Sequence, residues 1–360
     1  MTSIELVTLG EVADLQWGDT SVTKKSYVLT GDKYPAYSAS GQDGFLPYFD
    51  YDRTGVILSA IGANAGKTWL ATGKWSCIKN TIRFFSKDES VADTRYLYWA
   101  TQSHATFPLR GSAQPFISQG DAREVAISLP PISEQRAIAA TLGALDDKIE
   151  SNRRTVGKAQ ELGDALFISL TEEHRIISEV ATITMGTSPR GNTLNEAGDG
   201  VAFYQGTRDF GFRFPARRIW TTNPIRLARR NDTLMSVRAP VGELNRALDD
   251  CCVGRGVAAI HSEKQPSTLY YAMRASRATW EKFQGEGTVF ASVNKQDVHG
   301  AEIYWIGDHH AERLEQSLSS LDSKIESLET ENERLTVLRD ALLPALLSGS
   351  VRVPAEGAEA

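Results

Sequence analysis

From Ile138 to Leu166 the chain returns to a small or apolar residue at alternating steps of four and three. The positions are Ile138, Leu142, Leu145, Ile149, Asn152, Val156, Ala159, Gly163 and Leu166. A second stretch keeps the same steps through Leu314, Leu318, Leu321, Ile325, Leu328, Asn332 and Leu335. This is a heptad pattern, which two long helices use to lie against each other. Each run carries one asparagine, Asn152 or Asn332, a residue type that fixes register at some expense of stability. The first helix is expected to start near Ser133, because Pro130 and Pro131 force an extended entry and Ser133 can cap. The second should begin near Asp308 and stop around Leu347, where Ser348-Gly349 gives a C-terminal signal; Pro344 suggests a kink or an early end. A helix of about 38 residues rises roughly 57 Å, which is the dimension of a spacer.

The two periodic stretches are copies. Leu145 to Ser151 reads LDDKIES and Leu321 to Ser327 reads LDSKIES, an offset of 176. At the same offset Leu142 falls on Leu318, Leu162 on Leu338, and Asp164-Ala165-Leu166 on Asp340-Ala341-Leu342. Phe116-Ile117-Ser118 resembles Phe290-Ala291-Ser292, and Leu9-Gly10-Glu11-Val12-Ala13 echoes Ile177-Ser178-Glu179-Val180-Ala181. A period this long is a duplication rather than a solenoid. The intervening parts mix strand-like runs (Gly55 to Ser59, Thr81 to Phe85, Thr233 to Val237) with shorter helical stretches (Asp93 to Gln102, Ser267 to Phe283). Each reads as a mixed helix-and-sheet unit whose strand order stays open.

Composition changes this picture little. With 360 residues, 41% hydrophobic and 23% charged, the chain has room for two domains with their own cores. No apolar run is long enough for a membrane span, the N-terminus lacks the pattern of a signal peptide, and a cytoplasmic location is expected. Cys77, Cys251 and Cys252 read as small packing residues.

Charge changes it more. The net charge is −6, yet Arg208, Arg213, Arg217, Arg218, Arg226, Arg229, Arg230 and Arg238 face only Asp209 and Asp232, giving that stretch +6. From Ala311 to Asp340 eight carboxylates stand against four bases. The acidic part need not touch what the basic part touches.

Several catalytic patterns fail on their mechanics. Gly62 to Thr68 resembles a phosphate-binding loop but has three residues between its glycines where four are needed, and a strand rather than a helix should follow. Phe283-Gln284-Gly285-Glu286-Gly287 matches a string used to hold S-adenosylmethionine, but a helix precedes it where a strand is required. His309-His310 has no cysteine or spaced histidine to complete a metal site, so no metal is expected. No nuclease constellation of carboxylates with a lysine is apparent, and no catalytic residue is assigned.

The residues do carry a resemblance. Leu129-Pro130-Pro131-Ile132-Ser133-Glu134-Gln135-Arg136, with Ile138-Ala139, Leu142 and Leu145-Asp146, resembles the central conserved region of specificity subunits of type I restriction–modification enzymes. Leu342-Leu343-Pro344-Ala345-Leu346-Leu347-Ser348-Gly349 resembles their distal conserved region, although Trp305-Ile306-Gly307-Asp308 stands where a Leu-Pro-Pro entry belongs. Phe203 to Gly206, Asp209-Phe210-Gly211, Ser236 to Gly242 and Gly254-Arg255-Gly256 resemble one class of their target recognition domains. Tyr34 to Gly41 with Ile61-Gly62-Ala63 resembles another.

The resemblance implies an α+β fold: two globular target recognition domains, each α/β with a curved sheet, separated by two long antiparallel coiled-coil helices in an internal pseudo-twofold repeat. The expected divisions are a first recognition domain over 1–130, a central spacer helix over 131–170 and a second recognition domain over 171–307. A C-terminal spacer helix over 308–348 and a flexible tail over 349–360 complete the chain. It implies a non-catalytic subunit that binds an asymmetric, bipartite double-stranded DNA target and docks two modification subunits, with restriction subunits joining them. S-adenosylmethionine, ATP and Mg then belong to the partner subunits and none of them to this chain. Arginine suits guanine, amides suit adenine, and basic or hydroxyl side chains suit phosphate. The expected DNA-binding residues are Ser38, Ser40, Gln42, Asn64, Lys67, Lys79 and Asn80 in the first domain. In the second they are Gln205, Arg208, Arg217, Arg218, Ser236 and Arg238. Trp17, Trp69 and Trp75 are expected to pack in core or loops. Two other classes stay open: a coiled-coil adaptor joining two protein-binding domains without DNA binding, and a standalone methyltransferase or nuclease.

Overall fold

The computed structural model describes residues 5–30, 33–102, 106–284 and 292–353. Gly285 to Gly287 of the S-adenosylmethionine-like string, Phe290-Ala291 of the repeat, and residues 354–360 of the expected tail lie outside these. The chain divides into two compact units, one of Met1–Ile149 with Glu333–Ala360 and one of Glu150–Asn332.

The first unit begins with β1 (Glu5–Thr8), α1 (Leu9–Val12), β2 (Ala13–Trp17), β3 (Tyr34–Ser38), β4 (Gly41–Leu46) and β5 (Tyr51–Asp52). It continues with β6 (Gly55–Ser59), β7 (Thr68–Ala71), β8 (Lys74–Cys77), β9 (Thr81–Ser86), α2 (Thr94–Ala100), α3 (Gln119–Arg123) and β10 (Ala126–Leu129), then enters α4 (Ile132–Ser169). In the expected fold each unit had one curved sheet; the strands instead divide into two sheets and a ribbon. One sheet is antiparallel in the order β2-β9-β6-β7, another runs β4-β3-β8-β5 with β3 and β8 parallel, and β1 pairs with β10. The strands are short, and a register shift between Ala36 and Tyr37 interrupts the β3–β4 pairing within the second of these sheets. Every residue of β6, GVILS, is buried, as a strand covered on both faces requires. Its Val56 and Leu58 join Leu9, Ile82, Phe84, Tyr96 and Leu97 in a core that also takes Ile138 and Leu142 of α4. Trp75 is fully buried with its indole N–H donated to the Arg53 carbonyl at 2.7 Å, whereas Trp17 is 39% exposed.

The second unit contains β11 (Thr171–Ile176), α5 (Ile177–Val180), β12 (Thr182–Met185), β13 (Leu194–Asn195), β14 (Val201–Tyr204), β15 (Trp220–Thr221) and β16 (Leu227–Ala228). There follow β17 (Thr233–Ser236), β18 (Leu244–Arg246), β19 (Cys251–Val253), β20 (Val257–His261), α6 (Pro266–Ala275), α7 (Lys295–His299), β21 (Glu302–Ile306) and α8 (Ala311–Leu347). One sheet runs β12-β20-β17-β18; the other runs β13-β15-β14-β19-β16, with β14 and β19 parallel, and β11 pairs with β21. Apart from the added β13, these are the strand orders of the first unit. Cys77, Cys251 and Cys252 are buried and free of disulfides. The helix expected over Ser267 to Phe283 breaks at Ser276, after which Arg277–Phe283 continues as a 3₁₀ helix.

Helix α4 begins one residue before the expected cap Ser133. The Pro131 carbonyl accepts the first bonds, from the amides of Glu134 and Gln135. Gln135 is fully buried and ties this entry to α2: its Oε1 accepts from the Asp93 amide at 2.9 Å. Its Nε2 donates to the Pro130 carbonyl at 2.8 Å and the Val91 carbonyl at 3.0 Å. Pro344 does not end α8 early. The helix runs to Leu347, and Gly349 then takes the left-handed φ of +72° that closes a helix.

Within the second unit α4 and α8 are antiparallel. Asn152 donates to Glu331 at 2.7 Å and to Asn332 at 3.0 Å, while Val156 packs with Ile325 and Leu328. Gly163 gives room for the Tyr271 ring of α6, which a Cβ would approach to 2.4 Å. Within the first unit Asp146 of α4 accepts from Arg339 of α8 at 2.7 Å.

Candidate nucleic-acid interface

In the second unit, strand β14 ends at Tyr204 and delivers Gln205 and Gly206 to an open rim. Gly256 makes this possible, since a Cβ there would lie 2.3 Å from the Gln205 carbonyl. A 3₁₀ turn, Thr207–Asp209, follows and places Arg208 outward, with Asp209 accepting from the Gln205 amide at 3.0 Å. From the other sheet, strand β17 ends at Ser236 and is followed by Val237 and Arg238. These segments enclose a concavity of about 1080 Å³ lined by Gln205, Arg208, Arg217, Arg218 and Arg238. Phe203 and Trp220 supply apolar wall, with Asn195 and Thr207 at the edge.

Five of the six residues expected in this domain therefore meet in one place. Their electrostatic states differ. Arg217 pairs with Asp249, and Arg218 pairs with Asp209 while donating to the Arg208 carbonyl at 2.9 Å. Arg208 and Arg238 are exposed and have no ion-pair partner among the described residues. A concave surface with two uncommitted guanidinium groups, a primary amide and two aromatic faces can take an anionic, planar-edged ligand. Ser236 is the exception. It is 1% exposed and its hydroxyl donates to the Pro240 carbonyl at 2.5 Å while accepting the Glu243 amide at 2.9 Å. Its place is to hold the turn that carries Arg238, not to touch a ligand.

The expected charge segregation also fails in this unit. Arg213 is fully buried and contacts Asp322 of α8 at 3.1 Å, and Arg246 pairs with the same carboxylate. Tyr271 accepts from Arg213 at 2.9 Å. Arg230 grips Glu326 of α8 through two bonds of 2.6 and 2.7 Å. The acidic helix is thus what part of the basic stretch touches.

In the first unit the Ser38–Ser40, Asn64–Lys67 and Lys79–Asn80 segments are linked by hydrogen bonds around Ser59 and Ala60, but several of the expected side chains are committed to the protein itself. Ser38 is 3% exposed, donating to Asp43 at 2.6 Å and accepting the Ser40 amide at 3.1 Å, so burial removes it from contact. Burial pushes the Asp43 carboxyl up, but hydrogen bonds from Lys24, Ser38 and Tyr27 outweigh it and hold the group below the ordinary carboxylate range. Asn64 donates to the Ala39 carbonyl at 3.1 Å, which ties its loop to the Ser38–Ser40 segment, and Lys67 follows in the same turn. Gln42 donates to the Gly44 carbonyl at 3.1 Å, and Asn80 holds a left-handed φ of +71°. Lys67 and Lys79 point to solvent. The Gly62–Gly66 loop leads into β7, not a helix, so its amides do not form a phosphate cradle at a helix start. Sequence reading missed Asn195, Phe203, Thr207 and Trp220. The β14–β15 pairing that brings Trp220 beside Ala202 joins distant segments and leaves no local signal.

Residues 1–158 match the family described as the type I restriction modification DNA specificity domain. The type I restriction enzyme MjaX specificity subunit of Methanocaldococcus jannaschii is 29% identical over 269 residues, 68% of this chain and 63% of that protein. The EcoDI specificity subunit of Escherichia coli is 27% identical over 150 residues, 41% of this chain and 32% of that one. The chain thus spans less than two thirds of either relative. A crystal structure of a type I system S subunit from M. genitalium shares the fold, with a TM-score of 0.71, 17% identity and 96% of each chain covered. The chain is thus similar to type I restriction–modification specificity subunits: its residues 1–158 match their DNA specificity domain, two relatives carry that name, and its fold is that of an S subunit.

Proposed function

We propose that this chain is the DNA sequence-recognition subunit of a type I restriction–modification complex. Each globular part reads one half of an asymmetric, bipartite double-stranded target. The observation that carries the reading is the concavity of the second unit, where Arg208, Arg238 and Gln205 present the donors that guanine, adenine and phosphate accept. Ser40, Gln42, Asn64, Lys67, Lys79 and Asn80 are the corresponding surface in the first part. Helices α4 and α8 act as a coiled-coil spacer. Their heptad positions, Leu142, Leu145, Ile149, Asn152 and Val156 with Leu318, Leu321, Ile325, Leu328, Asn332 and Leu335, are all buried or half-buried. The matching strand orders of the two units support a duplicated, pseudo-twofold origin.

The chain itself is not an enzyme. It docks two modification subunits, which bring S-adenosylmethionine, and restriction subunits, which bring ATP and Mg. Mapping methylated sites in cells that express the full set of subunits tests this reading. A gapped motif with two unlike half-sites is expected. A continuous motif, or no binding of duplex by the chain with its modification subunits at low salt, would overturn it.

A further inference from the structure

Strand β11 pairs with β21 in register except at one place: Thr171 faces Ile306 and Glu173 faces Trp305, so Glu172 is the extra residue of a bulge. A bulge re-aims a side chain. Here it turns the Glu172 carboxylate toward the 3₁₀ turn Asp308–His310 that leads into α8. Glu172 Oε1 lies 3.4 Å from His309 Nε2 and 3.6 Å from His310 Nε2. The ligand atoms of all three side chains fall within 4.8 Å of one another. Gly307 completes the arrangement: a Cβ there would sit 2.2 Å from Glu172 Oε2 and 2.9 Å from the His309 ring.

We propose that Glu172, His309 and His310 form a binding site for a divalent transition-metal ion of the zinc class. Bonds of about 2.0–2.1 Å to a tetrahedral ion separate neighbouring ligand atoms by roughly 3.3 Å, close to the spacings between the carboxylate and the two imidazoles. Two imidazoles and a single carboxylate suit zinc, cobalt or nickel and not magnesium or calcium, which need more oxygen donors. Three protein ligands leave one position of a tetrahedral ion open. The ion ties the strand that follows α4 to the turn that precedes α8, so it fastens two chain segments that are distant in sequence at the end of the second unit. Sequence alone could not find the site, because the third ligand depends on the β11–β21 pairing. The proposal is independent of DNA recognition.

The test uses the full chain after chelator treatment and dialysis. It is titrated with Zn²⁺ by calorimetry and with Co²⁺ by visible absorption, and melted with and without Zn²⁺. One equivalent per chain, a tetrahedral Co²⁺ spectrum and a higher melting temperature with Zn²⁺ are expected. Glu172→Gln and His309→Ala, both substitutions at exposed side chains whose folding circular dichroism verifies, should each weaken uptake by at least about tenfold, the loss seen even for outer-shell partners. Absence of saturable uptake overturns the proposal, as does uptake that both variants leave unchanged.

Discussion

Arginines of one short stretch divide into three physical states: buried, paired at the surface, and uncommitted. Arg208→Ala and Arg238→Ala remove uncommitted groups. If either contacts a base edge bidentately, the loss should be about 1–3 kcal/mol, with relaxed preference at one target position. If it contacts phosphate, affinity should fall alike for all sequences and the salt slope should drop by about 1. Duplex-binding titrations over a salt series, with target and scrambled DNA, separate these outcomes, and unchanged binding in both variants would remove the concavity from the interface. Asp322 has the opposite character. It is 6% exposed and faces two guanidinium groups, so Asp322→Ala leaves two buried cations without their counter-charge. A loss of about 3–5 kcal/mol in denaturant unfolding is expected. Residue types were legible in the sequence, but these states were not, because Arg213 and Arg217 are written alike and differ only in what tertiary packing brings to them.

At the scale of elements, the long helices were the most legible feature, since a heptad period declares itself without knowledge of the partner. Their starts were less so: the Pro131 carbonyl, not the Ser133 hydroxyl, opens α4. Gln135 shows why, as its contacts at the helix entry run to a loop and to the N-cap of α2. Gln135→Ala should leave buried polar groups unsatisfied and lower stability by about 1–3 kcal/mol, measurable as a shifted denaturation midpoint. Short helices carry a pH signature. The carboxyl of Glu11 is held below its ordinary range by the amide and hydroxyl of Thr8, and that of Asp121 by the Ser118 hydroxyl and then Arg110. A carboxyl depressed by folding stabilises above its unfolded pKa, and the contribution fades as pH falls through the folded value. Acid titration followed by circular dichroism should therefore show a limb that flattens in Glu11→Gln and Asp121→Asn; an identical limb in both would contradict the assignment.

At the scale of the whole molecule, two globular parts with unlike sequences share their strand orders, and the chain spells out its more alike portions in the helices. Strand order was not legible, because the parallel pairings β3–β8 and β14–β19 join segments far apart in sequence. If α4 and α8 set the interval between half-sites, deleting one heptad from each should shorten the tolerated gap by about 10 Å, or roughly three base pairs, and leave both half-sites unchanged. Methylation mapping of the deletion variant reads this directly, and an unaltered gap would refute the spacer. The grip of α8 on Arg213, Arg230 and Arg246 has a wider effect. Cations neutralised from within cannot attract polyanions at long range, so the surplus left for indiscriminate adhesion is small. If the chain reads DNA as proposed, such internal neutralisation would favour selectivity over generic adhesion.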